Sequence, residues 1–200
     1  MVNMIDFDKK VILASASPRR QELIKLIFDN VEILPADCDE TLPSGIGARE
    51  AVEYLSKIKN EASAKLTEKE NLVISADTVV SVDNEILGKP VDKEDARRMI
   101  SLLSGKVHQV YTGVTLSLNG KVKTFSEKTD VEFFDLTGDE IEEYIPAMVF
   151  GMADGFYMYA PSKEYMGEDA FGNDKYEYKH NLKNYVYYSE TVEVDVGAGK

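Results

Sequence analysis

Two arginines follow a serine-rich turn near the start of the chain. A short apolar run leads into four side chains that suit phosphate oxygens: Ser15, Ser17, Arg19 and Arg20. Guanidinium forks match phosphate oxygens in geometry and charge. Ser17 before Pro18 is typical of a helix start, where free N–H groups favour an anion. The segment predicts a phosphate site, and two solvated arginines beside a helix cap are the alternative.

A carboxylate follows the buried apolar run 72–76. Asp77 could accept a proton from water or hold a divalent cation, and the end of a buried strand is the usual place for a site in an α/β protein. A polar strand end is the alternative. Asp39 and Glu40 follow another strand; they are candidate metal ligands or part of a solvated loop.

Two lysines are weaker candidates. Lys89 lies between a glycine and a proline in a turn, where it could reach a phosphate, although lysines in turns are usually solvated. Lys59 lies at the border of the apolar face of a predicted helix at 48–66, where a lysine usually extends its head into water. Lys59 is a candidate site residue only if this helix flanks the phosphate site.

The elements that must position these residues are strands and helices in mixed order. Strands are predicted at 11–14, 31–35 and 72–76, the last ending at Asp77. Hairpins are predicted at 78–87, turning at Asp83-Asn84, and at 107–134, turning at Asn119-Gly120. Helices are predicted after Ser17, at 48–66, from Asp92 to 103, and after the capping box at 137–140. This pattern indicates an α/β or α+β fold with a mixed sheet.

The chain changes character after residue 146. Residues 147–200 are rich in tyrosine and polar residues, and only Thr191–Val196 alternates like a strand. We therefore distinguish a region at 1–146, which carries the candidate site residues, from a tyrosine-rich C-terminal region at 147–200, which we expect to pack on the same domain.

Composition excludes several classes of partner. The net charge of −13 argues against nucleic-acid binding, which needs a basic face. No apolar run approaches the ~18–20 residues of a membrane span, and the first ten residues are a poor signal peptide. One cysteine, Cys38, allows no internal disulfide and suits a reducing cytoplasm. We expect a phosphate site in this chain to be built locally from a few cations, backbone N–H groups and a metal ion.

Taken together, the motifs resemble the Maf family of nucleoside triphosphate pyrophosphatases. The resemblance covers residues 11–145 in order. Its most specific stretches are 13–23, 54–59, 75–80 and 87–90, with further matches at 102–105, 108–110 and 112–114. Each stretch is weak alone, but the ordered set is specific.

The resemblance implies hydrolysis of a nucleoside triphosphate to a monophosphate and pyrophosphate, with a divalent cation such as Mg²⁺. It implies an elongated mixed sheet flanked by helices, with two lobes around a central cleft. Asp77 would be the proton acceptor and, with Asp39 and Glu40, a candidate metal ligand. The phosphate site would be lined by Ser15, Arg19, Arg20, Lys59 and Lys89. Arg19 and Thr78 match positions tied to substrate choice, and the motif at 17–20 is similar to the dTTP/UTP branch.

The C-terminal region departs from the family pattern. The family's Gly-rich segment is absent, and no glutamine follows Gln109 to read the base. This predicts low selectivity among bases. A nucleotide-binding regulator linked to septum formation and a non-enzymatic interaction module are the alternatives to an enzyme. Monomer and homodimer both stay open.

Overall fold

The computed structural model describes residues 9–35, 37–142 and 145 of the chain, and the backbone of three further strands. The described helices are α1 (Pro18–Ile24), α2 (Ala48–Ala64) and α3 (Lys93–Leu103). The described strands are β1 (Val11–Leu13), β2 (Val31–Ile33), β3 (Leu72–Val82), β4 (Glu85–Leu87), β5 (Val107–Leu118), β6 (Lys121–Glu132), β7 (Ser162–Glu168), β8 (Asp174–Lys179) and β9 (Asn184–Ser189).

All of these strands form one mixed sheet. Its order is β2-β1-β3-β5-β6-β9-β8-β7, with β4 beside β3. β1 pairs in parallel with β2 and β3, whereas the pairs formed by β3 with β5 and by β5 with β6 are antiparallel. The predicted mixed sheet flanked by helices is therefore confirmed.

Helices cover both faces of the sheet. Side chains alternate along each strand, so successive residues pack against helices on opposite faces. Within β3, Ile74 packs in the cluster that contains α1, and Val80 packs in the cluster that contains α3. The neighbouring Val73 points the other way and packs beside the end of α2. α1 and α3 therefore share one face of the sheet, and α2 covers the opposite face.

The two tight hairpins turn at the predicted residues. Asp83 and Asn84 have φ of 50° and 66°, and Asn119 and Gly120 have φ of 52° and 77°. Two successive positive φ angles are the requirement of a type I′ turn, which matches the twist of the flanking strands. The Asn119-Gly120 turn fixes the long β5–β6 pairing, with Leu118 opposite Lys121.

The strand that carries Asp77 is longer than predicted. We expected it to end at Asp77, but β3 continues without a break to Val82. Pairing with β5 from Val73 to Ser81 keeps this stretch extended. Asp77 therefore lies in the middle of a strand, and its side chain must point to one defined face of the sheet.

Two helix starts follow the predicted capping chemistry. Asp92 accepts a hydrogen bond from the N–H of Asp95 at the start of α3. Thr137 and Glu140 form the reciprocal bonds of a capping box before a helical turn at 138–142. α2 ends at Ala64, two residues earlier than predicted. Among the described residues, no helix is long and apolar enough to span a membrane.

The C-terminal region contributes three strands that the hydrophobic pattern did not indicate. β9 pairs with β6, and β8 and β7 follow it outward. These segments are rich in tyrosine, which favours strands through fit to a pleated surface rather than through alternation. The predicted strand at Thr191–Val196 lies outside the described residues.

Candidate active site

The sheet has an opening at one edge of β3. β1 pairs with β3 only as far as Ile74, and β4 pairs with it only from Val80. Among the described strands, none pairs with residues 76–79 on that edge. The serine-rich loop leaves β1 at this opening, after the N–H of Ala14 donates to the carbonyl of Ile74. Such gaps beyond the carboxyl ends of parallel strands are where α/β proteins bind ligands.

On the α2 face of this opening, Asp77 meets a lysine and a second carboxylate. Lys59 Nζ donates to Asp77 Oδ1 and lies 2.8 Å from Glu40 Oε2. The Lys59 side chain is 17% exposed and the Glu40 side chain 56% exposed. The cluster is therefore sealed on the Asp77 side and open to solvent on the Glu40 side, where a ligand could enter.

The two carboxylates keep Lys59 charged. Burial would lower the pKa of Lys59, but the charges and hydrogen bonds of Asp77 and Glu40 outweigh burial and raise the pKa above its ordinary value. The ammonium group therefore persists at neutral pH. It can hold the Asp77 carboxylate in one orientation and attract an incoming anion.

Buried polar side chains dock α2 and so place Lys59. The Asn60 side-chain amide donates to the carbonyls of Val73 and Thr115, at 3.0 and 3.1 Å. The Ser75 hydroxyl donates to the carbonyl of Ser56 at 2.6 Å. Each of these bonds joins α2 to β3 or β5, so the helix can neither slide nor rotate freely. Sequence analysis missed Asn60, although a polar residue on the apolar face of a helix was a usable signal.

Gly113 allows α2 to approach the sheet at the level of the site. It pairs with Asp77 across the β3–β5 ladder. A Cβ at this position would collide with the backbone carbonyl of Val52 in α2. Backbone cannot move aside as a flexible side chain can, so any larger residue must push α2 outward. The glycine is therefore needed for Lys59 on α2 to reach Asp77 on β3.

The arginines lie on the other side of the opening. Arg19 and Arg20 are half-buried in the first turn of α1. The Ser15 hydroxyl accepts hydrogen bonds from the N–H of Ser17 at 3.2 Å and from Arg20 Nη1 at 3.4 Å. The Ser17 side chain makes no capping bond. Because α1 has seven residues, its dipole adds little, and cationic side chains are the main attraction for an anion.

A cleft of about 700 Å³ lies between α1 and the sheet, over β3 and β5. Arg19, Arg20 and Thr78 line it, together with mostly apolar side chains. The Thr78 hydroxyl lies 3.0 Å from that of Thr112. Thr112 is a second residue that sequence analysis did not single out, although it lies within a stretch that carries the family resemblance.

Two predicted site residues are not brought into this arrangement. Lys89 is exposed after β4 and is not among the described residues that line the cleft. Asp39 is exposed, and its carboxylate accepts from the N–H of Thr41 at 2.9 Å. The predicted metal-binding trio of Asp77, Asp39 and Glu40 is therefore not assembled, because the loop turns the Asp39 side chain to its own backbone. The described residues contain no cluster of three His, Cys, Asp or Glu able to hold a metal.

Cys38 lies near the cluster but is a poor nucleophile. Burial and the negative charge of Glu40 raise the pKa of its thiol above the ordinary value. The thiolate is the reactive form, so little of it exists at neutral pH.

His108, at the far end of the cleft, gives the fold a pH dependence. It is 2% exposed, and burial lowers its pKa to about 4 despite the charge of Asp130. The folded state thus keeps the imidazole neutral while the unfolded chain binds a proton below its ordinary pKa of 6.5. The stability that neutral His108 contributes to the fold is fully present above pH 6.5 and is lost as the pH falls toward 4. We expect the free energy of unfolding to fall by about 2 kcal/mol between pH 7 and pH 5 through this residue.

Urea unfolding at pH 7 and pH 5 measures this effect. His108→Gln has no titratable ring. Its free energy of unfolding should therefore fall by about 2 kcal/mol less between the two pH values than that of the unaltered protein. Equal losses in the variant and the unaltered protein would contradict the assignment.

Together, the opened sheet, the carboxylate–lysine cluster and the two arginines of the cleft define an α/β protein with a candidate ligand site at the sheet opening. A family model described as Maf-like protein matches residues 10–158. The chain belongs to the Maf-like protein family.

Relatives are similar over most of their length. The dTTP/UTP pyrophosphatase of Bacillus cytotoxicus is 45% identical over 137 residues, which cover 68% of this chain and 71% of the relative. The dTTP/UTP pyrophosphatase of Thermosipho africanus is 47% identical over 148 residues, which cover 74% and 75%. A solved structure, the Staphylococcus aureus Ham1 protein, is 19% identical with a TM-score of 0.47, over 82% of this chain and 78% of that chain.

Proposed function

We propose that this protein hydrolyses nucleoside triphosphates, dTTP and UTP among them, to the monophosphate and pyrophosphate. One observation carries the proposal: the lysine-held carboxylate of Asp77 lies on one side of the sheet opening, and the first turn of α1, with Arg19 and Arg20, lies on the other. The names of the relatives, dTTP/UTP pyrophosphatase, support this substrate class.

In the proposed reaction, Asp77 orients water and accepts its proton as the water attacks phosphorus. Lys59 holds the carboxylate in place through one hydrogen bond. An aligned base of this kind contributes about 10²–10⁴-fold to rate. Gly113 and Asn60 act through α2, by keeping Lys59 within reach.

The arginines bind and neutralise the phosphates. Arg19 and Arg20 line the cleft next to the opening, so their guanidinium groups can bind phosphate oxygens as charge develops on the leaving pyrophosphate. Ser15 steadies Arg20 through its hydroxyl.

A divalent cation such as Mg²⁺ fits the two carboxylates that converge on Lys59. Mg²⁺ in nucleotide enzymes is commonly held by one or two carboxylates, with substrate phosphates and water completing its shell. Asp77 and Glu40 are the residues that would hold it, and it would neutralise phosphate charge when bound. Asp39 is not part of this proposed set.

The test is pyrophosphate release from a panel of dTTP, UTP, CTP, dATP and GTP with Mg²⁺. We expect release from dTTP and UTP, with the monophosphate formed in equal amount. Release of inorganic phosphate without pyrophosphate would indicate a different bond cleavage. Nucleotide binding without hydrolysis would favour a regulator, and no binding would favour an interaction module.

We expect Arg19→Ala and Arg20→Ala each to weaken UTP binding by at least about tenfold. A charge-assisted hydrogen bond is typically worth about 1.5–3 kcal/mol, whereas an arginine that meets only solvent contributes almost nothing. Titration calorimetry with UTP and Mg²⁺ measures the dissociation constants.

Arg98→Ala is the matched control for the arginine variants. Arg98 lies on α3, its side chain is 50% exposed, and it pairs with Glu85 and Asp95 instead of lining the cleft. Its removal should change UTP affinity less than twofold. Unchanged affinity in both cleft variants would leave the helix-cap interpretation of Arg19 and Arg20 as the better one.

A further inference from the structure

The floor of the cleft is mostly apolar, with a pair of threonines in the middle and His108 at one end. Along β3, Ala76, Thr78 and Val80 face the cleft, and along β5 their partners are Val114, Thr112 and Val110. The two threonines are directly opposite each other in the ladder. The two hydroxyl groups therefore lie side by side on a mostly apolar surface, which His108 and Phe125 also line.

The two hydroxyls leave hydrogen-bonding capacity for a ligand. Their oxygens are 3.0 Å apart, and either can be the donor. A hydroxyl has one O–H and two acceptor lone pairs, so one O–H and several lone pairs remain after this bond. Thr78 is exposed and Thr112 half-buried, so the pair is accessible from the cleft.

The position of the pair relates it to the phosphate site. Thr78 is the residue after Asp77 and points to the opposite face of the sheet. Arg19 and Arg20 line the same cleft as the hydroxyl pair. A ligand with its anionic end at the arginines and the sheet opening therefore lays its uncharged end over the two threonines.

The chemistry of the cleft suits a nucleoside. Its volume of about 700 Å³ lies in the range of small-molecule sites, which are mostly apolar with a few placed polar groups. A pyrimidine has flat apolar faces and an edge of carbonyl and N–H groups. Rotatable hydroxyls can serve donors and acceptors alike, and so can bind such an edge without demanding one base.

We infer that Thr112 is a base-contacting residue, which with Thr78 binds the edge of the substrate's base on the floor of the cleft. This inference rests on the proposed function and adds a residue and a location for the nucleoside. Thr112 lies on β5, within the part of the chain that the structure describes, whereas no glutamine follows Gln109 in the sequence.

Thr112→Val tests the inference, since valine keeps the shape and removes the hydroxyl. One neutral hydrogen bond corresponds to about a 3- to 10-fold effect. We expect kcat/KM for UTP and dTTP, and the affinity for UMP, to fall by that factor. The inhibition constant of inorganic triphosphate, which has no base, should stay within twofold.

Thr124→Val is the matched control. Thr124 and Thr115 form an equivalent hydroxyl pair at 2.9 Å, but it does not line the cleft. This variant should leave the UMP affinity and the ratio of UTP to inorganic triphosphate unchanged. If both variants weaken UMP equally, the effect is structural and the inference is overturned.

The experiment separates this inference from the proposed function. If the unaltered protein releases no pyrophosphate, the function fails, and UMP binding alone decides the role of Thr112. If it does release pyrophosphate, unchanged UMP affinity and kcat/KM in Thr112→Val overturn the inference and leave the function standing. Equal weakening of UTP and inorganic triphosphate would place Thr112 on the phosphate side and also overturn it.

Discussion

Asp77→Asn is expected to lower the turnover of UTP by about 10²-fold or more. The amide keeps the size of the carboxylate and can still accept the hydrogen bond of Lys59, but it cannot accept a proton from water. Single-turnover pyrophosphate release with saturating UTP measures the step directly. Substrate affinity should change far less than turnover, because the phosphates are bound mainly by cations.

Two controls make the Asp77 result interpretable. Thermal unfolding of Asp77→Asn should stay close to that of the unaltered protein, since the Lys59 contact is kept. Asp29→Asn, at an exposed position after α1, should turn over normally. Near-normal turnover in Asp77→Asn would remove Asp77 from the role of base and point to another residue at the sheet opening.

Lys59→Met is expected to lower kcat/KM for UTP by about 10- to 10²-fold and to destabilise the fold. Methionine has a similar length but no charge, so Asp77 loses its hydrogen-bond donor and faces Glu40 without a cation between them. A charge-assisted bond of about 1.5–3 kcal/mol accounts for the loss of activity. We expect a loss of about 2 kcal/mol in unfolding free energy. This is below the 3–5 kcal/mol typical of a fully buried pair, because the Glu40 side chain is 56% exposed.

Lys57→Met is the control for the lysine variant. Lys57 lies on the same helix with a side chain that is 56% exposed, and its carboxylate partner, Glu61, is 4.0 Å away at the surface. Loss of such a pair costs little, so activity and stability should be nearly unchanged. Lys59→Arg keeps the charge and should recover part of the activity. Equal effects at both lysines would mean that Lys59 has no special role at the site.

The arrangement explains how a protein with a negative net charge can attract a negatively charged ligand. The chain has a net charge of −13, yet Arg19 and Arg20 are placed together at the sheet opening. Electrostatic attraction at short range depends on nearby charges more than on the total. Lys59 already forms ion pairs with two carboxylates, whereas Arg19 and Arg20 line the cleft.

The strong local signals could be read from sequence alone. Apolar runs, the Asn119-Gly120 turn and the caps at Asp92 and Thr137 each depend on a few neighbouring residues, and the structure contains each of those features. The ordered motifs likewise sufficed to indicate the family. These features are short-range, because backbone geometry and capping bonds involve residues close in the chain.

Contacts between distant segments were decided only by the tertiary structure. Asp77 was expected at a strand end, but pairing with β5 carries the strand onward, and alternation then aims Asp77 at α2 and Thr78 at the cleft. From sequence, Lys59 was only a residue at the border of the apolar helix face. In the structure, Asn60 and Gly113 allow its helix to dock against the sheet, which brings Lys59 to Asp77. Asp39 and Glu40 are neighbours, yet the loop aims one at its own backbone and the other at Lys59. Residue types thus determined which chemistry was available, whereas strand pairing and helix docking determined which groups meet, because those distances depend on segments far apart in the chain.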